Sequence, residues 1–324
     1  MQARTHINPM VICHLSKAFR YIAMKFARLL VAIALALASG LAAAEGYKPS
    51  GAAPAQETYI FGVHPYTNPQ DLFEAYAPIV RYLEAKLPGT RFEVEASRDY
   101  PDYEAKLAAR RFHFSLPNPA QAVASFEHGY RVIAKMTPDD DFRGLFIARA
   151  DEAPVNPKTL AGKSICFTSA TALAGTLQPL MWLHDQGVNV KSLKIRYVGS
   201  QFSSILNAWS GEFDACGSTS RFFRTWARNN PDKAKDVKVL WRTPPLPHNA
   251  VIVRDDVPAE VAVRVAKALA GLDKDPAVDQ SQFRIDQQHF ELADNATYKP
   301  VIDFLRRYDA AIGLPTQIKL PRER

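Results

Sequence analysis

The chain has 324 residues, 47% of them hydrophobic and 23% charged, enough for about two domains with ordinary cores. Its formal charge of +7 is concentrated at the front: residues 1–44 hold five basic side chains and no acid, so the remainder carries 35 basic against 33 acidic groups, a net +2. That balance argues against nucleic acid or an anionic membrane surface as the main partner.

Lys25 and Arg28 precede the apolar run LLVAIALALASGLA, and the alanines at 42–44 suit small-x-small cleavage before Glu45. The run is shorter than the roughly 20 apolar residues of a membrane-spanning helix. Residues 1–44 therefore read as a secretory signal peptide, with Met24 as an alternative start and the periplasm as the expected destination. No cysteine stands directly after the run, which argues against a lipid anchor. In an oxidising compartment the two remaining cysteines, Cys166 and Cys216, form a bridge if their strands are neighbours; otherwise they are buried thiols acting as small apolar side chains.

After a Pro/Ala/Gly-rich linker at 45–56, strand and helix signals alternate. TYIFGV (58–63) is β-rich, and APIVRYLEAKL (77–87) has Ile79, Leu83 and Leu87 at helical spacing, with Pro78 in a first turn. RFEVEA, DYEAKLAARR, HFSLP and PAQAVASFEHG continue the alternation to Gly129, and RVIAKM and GLFIAR read as strands. Such alternation predicts βαβ units in a largely parallel sheet with helices on both faces. A second set begins after DEAPVNPKTLAGK with SICFT, a helix over about 176–186, LKIRYVG, FSSILNAWSGE, FDACGS, RFFRTWARNN and VKVLWRT. PPLPHN interrupts, and AVIVR and helices over 258–272 and 298–313 follow. Two α/β units, the first left near residue 150 and re-entered near 246, predict two lobes joined by two crossings, a hinge that closes on a ligand. The expected division is 57–149 plus 249–324 for lobe 1 and 150–248 for lobe 2.

The stretch CFTSATALAGTLQPLMWL (166–183) runs from a strand through small residues, hydroxyls and a glycine into a helix. A helix start is a natural anion site, because its first N–H groups lack internal partners and carry partial positive charge. Ser169, Thr171, Gly175 and Thr176 are the candidates there. Ser203 and Ser204, and Ser218, Thr219 and Ser220, lie at the ends of later strands, where ligands of open α/β sheets sit. For any single hydroxyl an N-cap is the commoner role, while the set as a whole is expected to include ligand contacts. In lobe 1, His64, Tyr66 and Asn68 follow the first strand and Asn118 the third; Tyr66 suits a pocket wall. Arg143 and His248 are the cationic candidates, each also readable as bracing the hinge. Asp214 reads as a brace within its lobe, PDDDF (138–142) as a solvated turn, and the aromatics of RFFRTWARNN as core. No nucleophile elbow, H-E-x-x-H, P-loop or protease cysteine signature is present, so no enzyme, cofactor or metal is expected.

Four stretches, in order, carry a family resemblance: FGVHPYTNPQDLFEAYAPIVRYLEAKL, HFSLPNPAQAV, LAGKSICFTSATALAGTLQPLMWLHDQGV and VKVLWRTPPLPHNAVIVRDDVP. Over about residues 58–310 the chain resembles the periplasmic substrate-binding proteins of phosphate/phosphite/phosphonate ABC transporters. The resemblance implies an α/β two-lobe periplasmic-binding-protein fold (type II-like), each lobe a mostly parallel sheet with flanking helices, joined by a two-strand hinge. It implies a monomer that holds a small phosphonate- or phosphate-like oxyanion in the interlobe cleft and delivers it to an ABC permease in the inner membrane. Two departures leave the ligand open. Where the family writes Ser-Thr-Ser before the glycine, this chain has Ala172-Leu173-Ala174, and Gln201 stands where the family writes a histidine. Gln201 thereby joins the ligand-binding candidates. A sensory protein that presents ligand-dependent closure to a membrane receptor such as a sensor kinase is the alternative.

Overall fold

The computed structural model describes residues 57–151, 153–284 and 289–321; the expected signal peptide and linker lie outside the described residues. Two sheets organise the chain. The first contains β1 (Glu57–Val63), β2 (Thr90–Ala96), β3 (Phe114–Leu116), β4 (Tyr130–Met136), β10 (Ala250–Arg254) and β11 (Phe290–Leu292), in the order β11-β4-β10-β3-β1-β2. The second contains β5 (Gly144–Arg149), β6 (Ser164–Phe167), β7 (Lys194–Tyr197), β8 (Ala215–Thr219) and β9 (Val237–Arg242), in the order β7-β6-β8-β5-β9. The chain passes from one sheet to the other between β4 and β5 and returns between β9 and β10.

Both sheets are mixed. β1 pairs in parallel with β2 and β3, and β6 with β7 and β8, as βαβ alternation predicts. Every antiparallel pairing involves β10, β11 or β5. β10 and β5 are the strands that enter a sheet directly from a crossing, without a helix to reverse them. The three-residue β11 was too short to stand out in the sequence.

The first helix, α1 (Pro69–Lys86), starts eight residues before the predicted one, and Pro78 lies inside it rather than in its first turn. The stronger start signal is Asn68-Pro69: the Asn68 side chain accepts the Asp71 N–H at 2.9 Å, and Pro69 needs no N–H at the first helical position. Leu72, Ala75, Tyr76, Ile79 and Leu83 are buried at helical spacing and form the lobe 1 core with β-strand residues such as Phe61, Phe114 and Val253. α2 (Tyr100–Ala108) and α3 (Pro119–Ser125) follow, the latter capped by Asn118. In the second lobe a π turn, Leu173–Leu177, leads into α4 (Gln178–Asp185), followed by α5 (Gln201–Ser210) and α6 (Ser220–Asn229). α7 (Ala259–Gly271) and α8 (Lys299–Ala311) complete the chain.

Two features fix the second lobe at its cleft side. Cys166 and Cys216 are register partners on neighbouring strands and form a disulfide, with Cα atoms 4.5 Å apart. The π turn rests directly on the sheet. A Cβ at Gly144 would come within 2.5 Å of the Ala174 carbonyl oxygen, and one at Gly217 within 2.6 Å of the Gly175 carbonyl oxygen. Only glycine permits that approach.

Candidate functional site

A small cavity of about 30 Å³ lies between the lobes. Lobe 1 contributes His64, Tyr66, Tyr100 and Asn118; the crossings contribute Asp141, Phe142, His248 and Asn249. The second lobe contributes the π turn, Gln201, Thr219, Arg221 and Phe222. Contacts across the cleft hold the walls together. The Asn118 Nδ2 donates to the Thr171 carbonyl at 3.2 Å, and the Gln201 N–H to the Tyr66 carbonyl at 3.2 Å. The Thr171 hydroxyl donates to the half-buried Glu104 carboxylate, which also accepts from Gln121. The Tyr66 and Phe222 rings close one side, 4.8 Å apart.

The π turn offers backbone alone. Ala172, Leu173, Ala174 and Gly175 border the cavity with no polar side chain among them. The turn's first internal bond is from the Leu177 N–H to the Ala172 carbonyl, so the N–H groups of 173–176 have no acceptor within the helix. Gly175 has a second role, since a Cβ there would meet Gln201 Nε2 at 2.6 Å and Thr168 Oγ1 at 2.8 Å. Its absence lets the Gln201 amide rest on the turn.

Arg221 supplies charge. It is 8% exposed, and its guanidinium has the Met136 sulfur at 3.8 Å, the Phe222 ring at 5.3 Å and the Tyr76 hydroxyl nearby; no carboxylate among the described residues pairs with it. A buried charge is normally paired, because desolvation costs several kcal/mol. Lys135, the other buried cation among the described residues, obeys that rule with Asp139 at 2.7 Å and Glu291 at 2.5 Å. Two further polar atoms on the cavity wall, Thr219 Oγ1 and Asn249 Oδ1, are buried without partners among the described residues.

Two histidines face this group with opposite polarity. His64 Nδ1 lies 2.8 Å from the Leu116 carbonyl, which can only accept, so the ring proton is on Nδ1. His248 Nδ1 instead accepts the Asn249 N–H at 2.7 Å, placing the proton on Nε2. Burial holds His64 down at about 4; the Leu116 hydrogen bond pulls upward by less, and Arg221 adds a still smaller downward push. Burial likewise drives His248 well below its usual range, with Arg221, Lys135 and His64 adding to it. Both rings are neutral near neutral pH.

Of the residues singled out in the sequence, Tyr66, Asn118, Gly175, Gln201 and His248 border the cavity, and Ser169, Thr171, Thr176, Ser203 and Ser218 do not. Thr171 spends its hydroxyl on Glu104, and Ser218 donates to Gln201 Oε1 at 3.2 Å. Ser203 is paired with Ser200, the cap of α5. Thr176 is fully buried, its hydroxyl without a partner among the described residues, and the Ser169 carbonyl closes the turn by accepting the Ala172 N–H. Asn118 contributes less than its position suggests, because its Oδ1 caps α3. Arg143 is drawn away from the cleft by Asp140 and the Thr243 carbonyl. Asp214 braces its lobe through Ser164 and Lys163. The aspartates of PDDDF are not idle in solvent: they bind Lys135, Arg143 and Arg224. Among the described residues no cluster of His, Cys, Asp or Glu could hold a metal ion.

Arg221 was missed because RFFRTWARNN reads as core. A signal existed: Arg221 is the second residue of α6, where a cation opposes the helix dipole. A charge placed against local electrostatics, at the carboxyl end of a strand, points to a ligand.

A family model for the periplasmic substrate-binding protein of phosphonate ABC transporters matches residues 61–298. A probable ABC transporter phosphite binding protein, PhnD1 of Prochlorococcus marinus (strain MIT 9301), is 27% identical over 122 residues; the match spans 35% of this chain and 41% of that relative, under half its length. The structure of PhnD1 from Prochlorococcus marinus (MIT 9301) in complex with methylphosphonate has a TM-score of 0.70 at 18% identity, over 78% of this chain and 99% of that one. A binding protein component of an ABC phosphonate transporter from Pseudomonas aeruginosa gives 0.70 at 16% identity, over 81% of this chain and 92% of its own. These structures share the two-lobe fold. With the family model matched from strand β1 to the start of α8, the chain belongs to the phosphonate-binding family of ABC-transporter periplasmic substrate-binding proteins.

Proposed function

We propose that the protein is the periplasmic solute-binding component of an ABC transporter, closing its two lobes on a small phosphorus oxyanion and handing it to an inner-membrane permease. Family membership supports the transport role and the periplasmic setting. The observation that carries the ligand class is Arg221, a buried guanidinium without a carboxylate, beside the unbonded N–H groups of the π turn. An oxyanion satisfies both, and charge-assisted bonds of this kind are about twice as strong as neutral ones. The cavity's volume favours a compact head group. Family ligand positions that read Ala172, Leu173 and Ala174 here are replaced by backbone donors and by a cation from another element.

A thermal-shift series tests this reading. Methylphosphonate, phosphite and phosphate are the expected binders, and a ligand of the folded form at about 100 times its Kd stabilises by about 2.7 kcal/mol. No rise in melting temperature with any of these oxyanions would overturn it.

A further inference from the structure

We propose that the cleft selects its ligand for a proton: it takes a singly charged oxyanion that carries one hydroxyl, and the Nε2 lone pair of His64 is the group that demands it. The inference rests on the oxyanion reading above and narrows its ligand class to the monoanion of a phosphonate or related phosphorus oxyacid.

The polarity of His64 is fixed by geometry. Its Nδ1–H is committed to the Leu116 carbonyl at 2.8 Å, and the ring is 4% exposed in the cavity wall. A neutral ring held this way can only accept at Nε2. Besides His64 Nε2 the wall holds one acceptor unpartnered among the described residues, Asn249 Oδ1, while its charged and N–H contributors are donors: the Arg221 guanidinium, the N–H groups of the π turn and the Nε2–H of His248. Three oxyanion oxygens without a proton suit all of these donors and leave the His64 lone pair facing a lone pair. One P–OH group resolves the conflict.

The charge count agrees. Arg221 is the cation of the cavity wall, and Asp141, the carboxylate that borders it, is paired with Arg224 at 2.9 Å. One positive charge matches a monoanion. The groups around His64 offer no route to an imidazolium. Tyr66, Tyr100 and Tyr103 approach edgewise or tilted, with ring centroids at 5.3, 6.2 and 6.4 Å. Arg221 on α6 opposes added charge, and His248 on the return crossing is itself held neutral by burial. Glu104 on α2 is occupied by Thr171 and Gln121. Burial therefore leaves the proton to the ligand.

Methylphosphonate and methanesulfonate separate the two possibilities, since at mildly acidic pH both are monoanions of similar shape and only the phosphonate has a hydroxyl. Calorimetry on the purified protein at about pH 6 should show methylphosphonate binding at least about 100-fold more tightly, because a site built around a hydroxyl leaves a buried polar group unpaired with an analogue that lacks it. At about pH 9, where the phosphonate is a dianion in solution, binding should draw close to one proton from the buffer, read from titrations in two buffers of different ionisation heat. His64→Gln, whose amide can turn either a donor or an acceptor to the cleft, should narrow the preference to within about tenfold. Equal wild-type affinity for the two ligands at about pH 6 overturns the proton requirement and leaves the oxyanion reading intact. An unchanged preference in a folded His64→Gln protein overturns His64 as its source. Binding of neither ligand overturns the phosphonate monoanion, and failure of phosphite and phosphate as well overturns the oxyanion reading.

Discussion

Arg221 and Lys135 are both buried cations, yet only Lys135 has carboxylates, and the difference has a consequence for stability. An uncompensated guanidinium lowers the stability of the ligand-free fold, whereas the proposed anion would give it a charge-assisted partner. Arg221→Met should therefore melt at or above the wild-type temperature without ligand, and should lose the stabilisation by methylphosphonate. Removing one partner of a buried charge pair costs about 2–5 kcal/mol, a loss of affinity of roughly 30-fold to several thousand-fold. A variant that binds normally would exclude Arg221 from the site. Little of this chemistry was legible residue by residue. Gly175 and His248 could be placed because a strand-to-helix corner and a Pro-rich crossing leave local marks. The hydroxyls were harder, since Ser203 and Ser218 look alike in sequence whether they meet a ligand, a cap or a neighbouring amide. What decides among these is a partner distant in the chain, as Gln201 is for Ser218.

Strands β6 and β8 support both halves of the proposed anion site: the π turn follows β6, and Arg221 follows β8 by two residues. The Cys166–Cys216 disulfide joins these strands as register partners and closes a segment of 50 residues. By loop-closure entropy such a bridge contributes about 4 kcal/mol. For a chain of this size its reduction should lower the melting temperature by on the order of 10 °C, which calorimetry with and without dithiothreitol can measure. An unchanged melting temperature would mean that the bridge contributes nothing to the folded state. The helices and parallel strands of this lobe were readable from periodicity and caps, because those signals lie within about ten residues. The bridge stayed undecided in the sequence because register between β6 and β8 is non-local. The antiparallel placement of β5 and β10 escaped for the same reason.

The two histidines make the whole fold sensitive to mild acid. Unfolded, each titrates near its ordinary value of about 6.5; folded, His64 is held at about 4 and His248 well below 6.5 by burial. Between these values the unfolded chain binds more protons, so stability is complete above about pH 6.5 and falls as the pH drops toward 4, by up to about 1.4 kcal/mol per pH unit for each histidine. Burial raises Glu104, which acts in the opposite sense and offsets part of the slope. Urea denaturation between about pH 7 and about pH 5 should show this decline, and His248→Gln should flatten it. A flat profile in the wild-type protein would contradict the buried, neutral assignment. This window lies above the range in which the surface carboxylates of the ion pairs titrate.

The cavity's walls are unequal: guanidinium and π-turn donors belong to one lobe, while His64, Tyr66 and Tyr100 belong to the other. On the proposed function, the events of capture therefore have an order. Anion encounter with the charged lobe is bimolecular, accelerated by Arg221 and slowed by added salt. Swinging the other lobe across is a unimolecular step, indifferent to salt and to ligand concentration. Any ligand that passes the first step by charge alone is examined in the second, and one that His64 cannot accept escapes before the lobes lock.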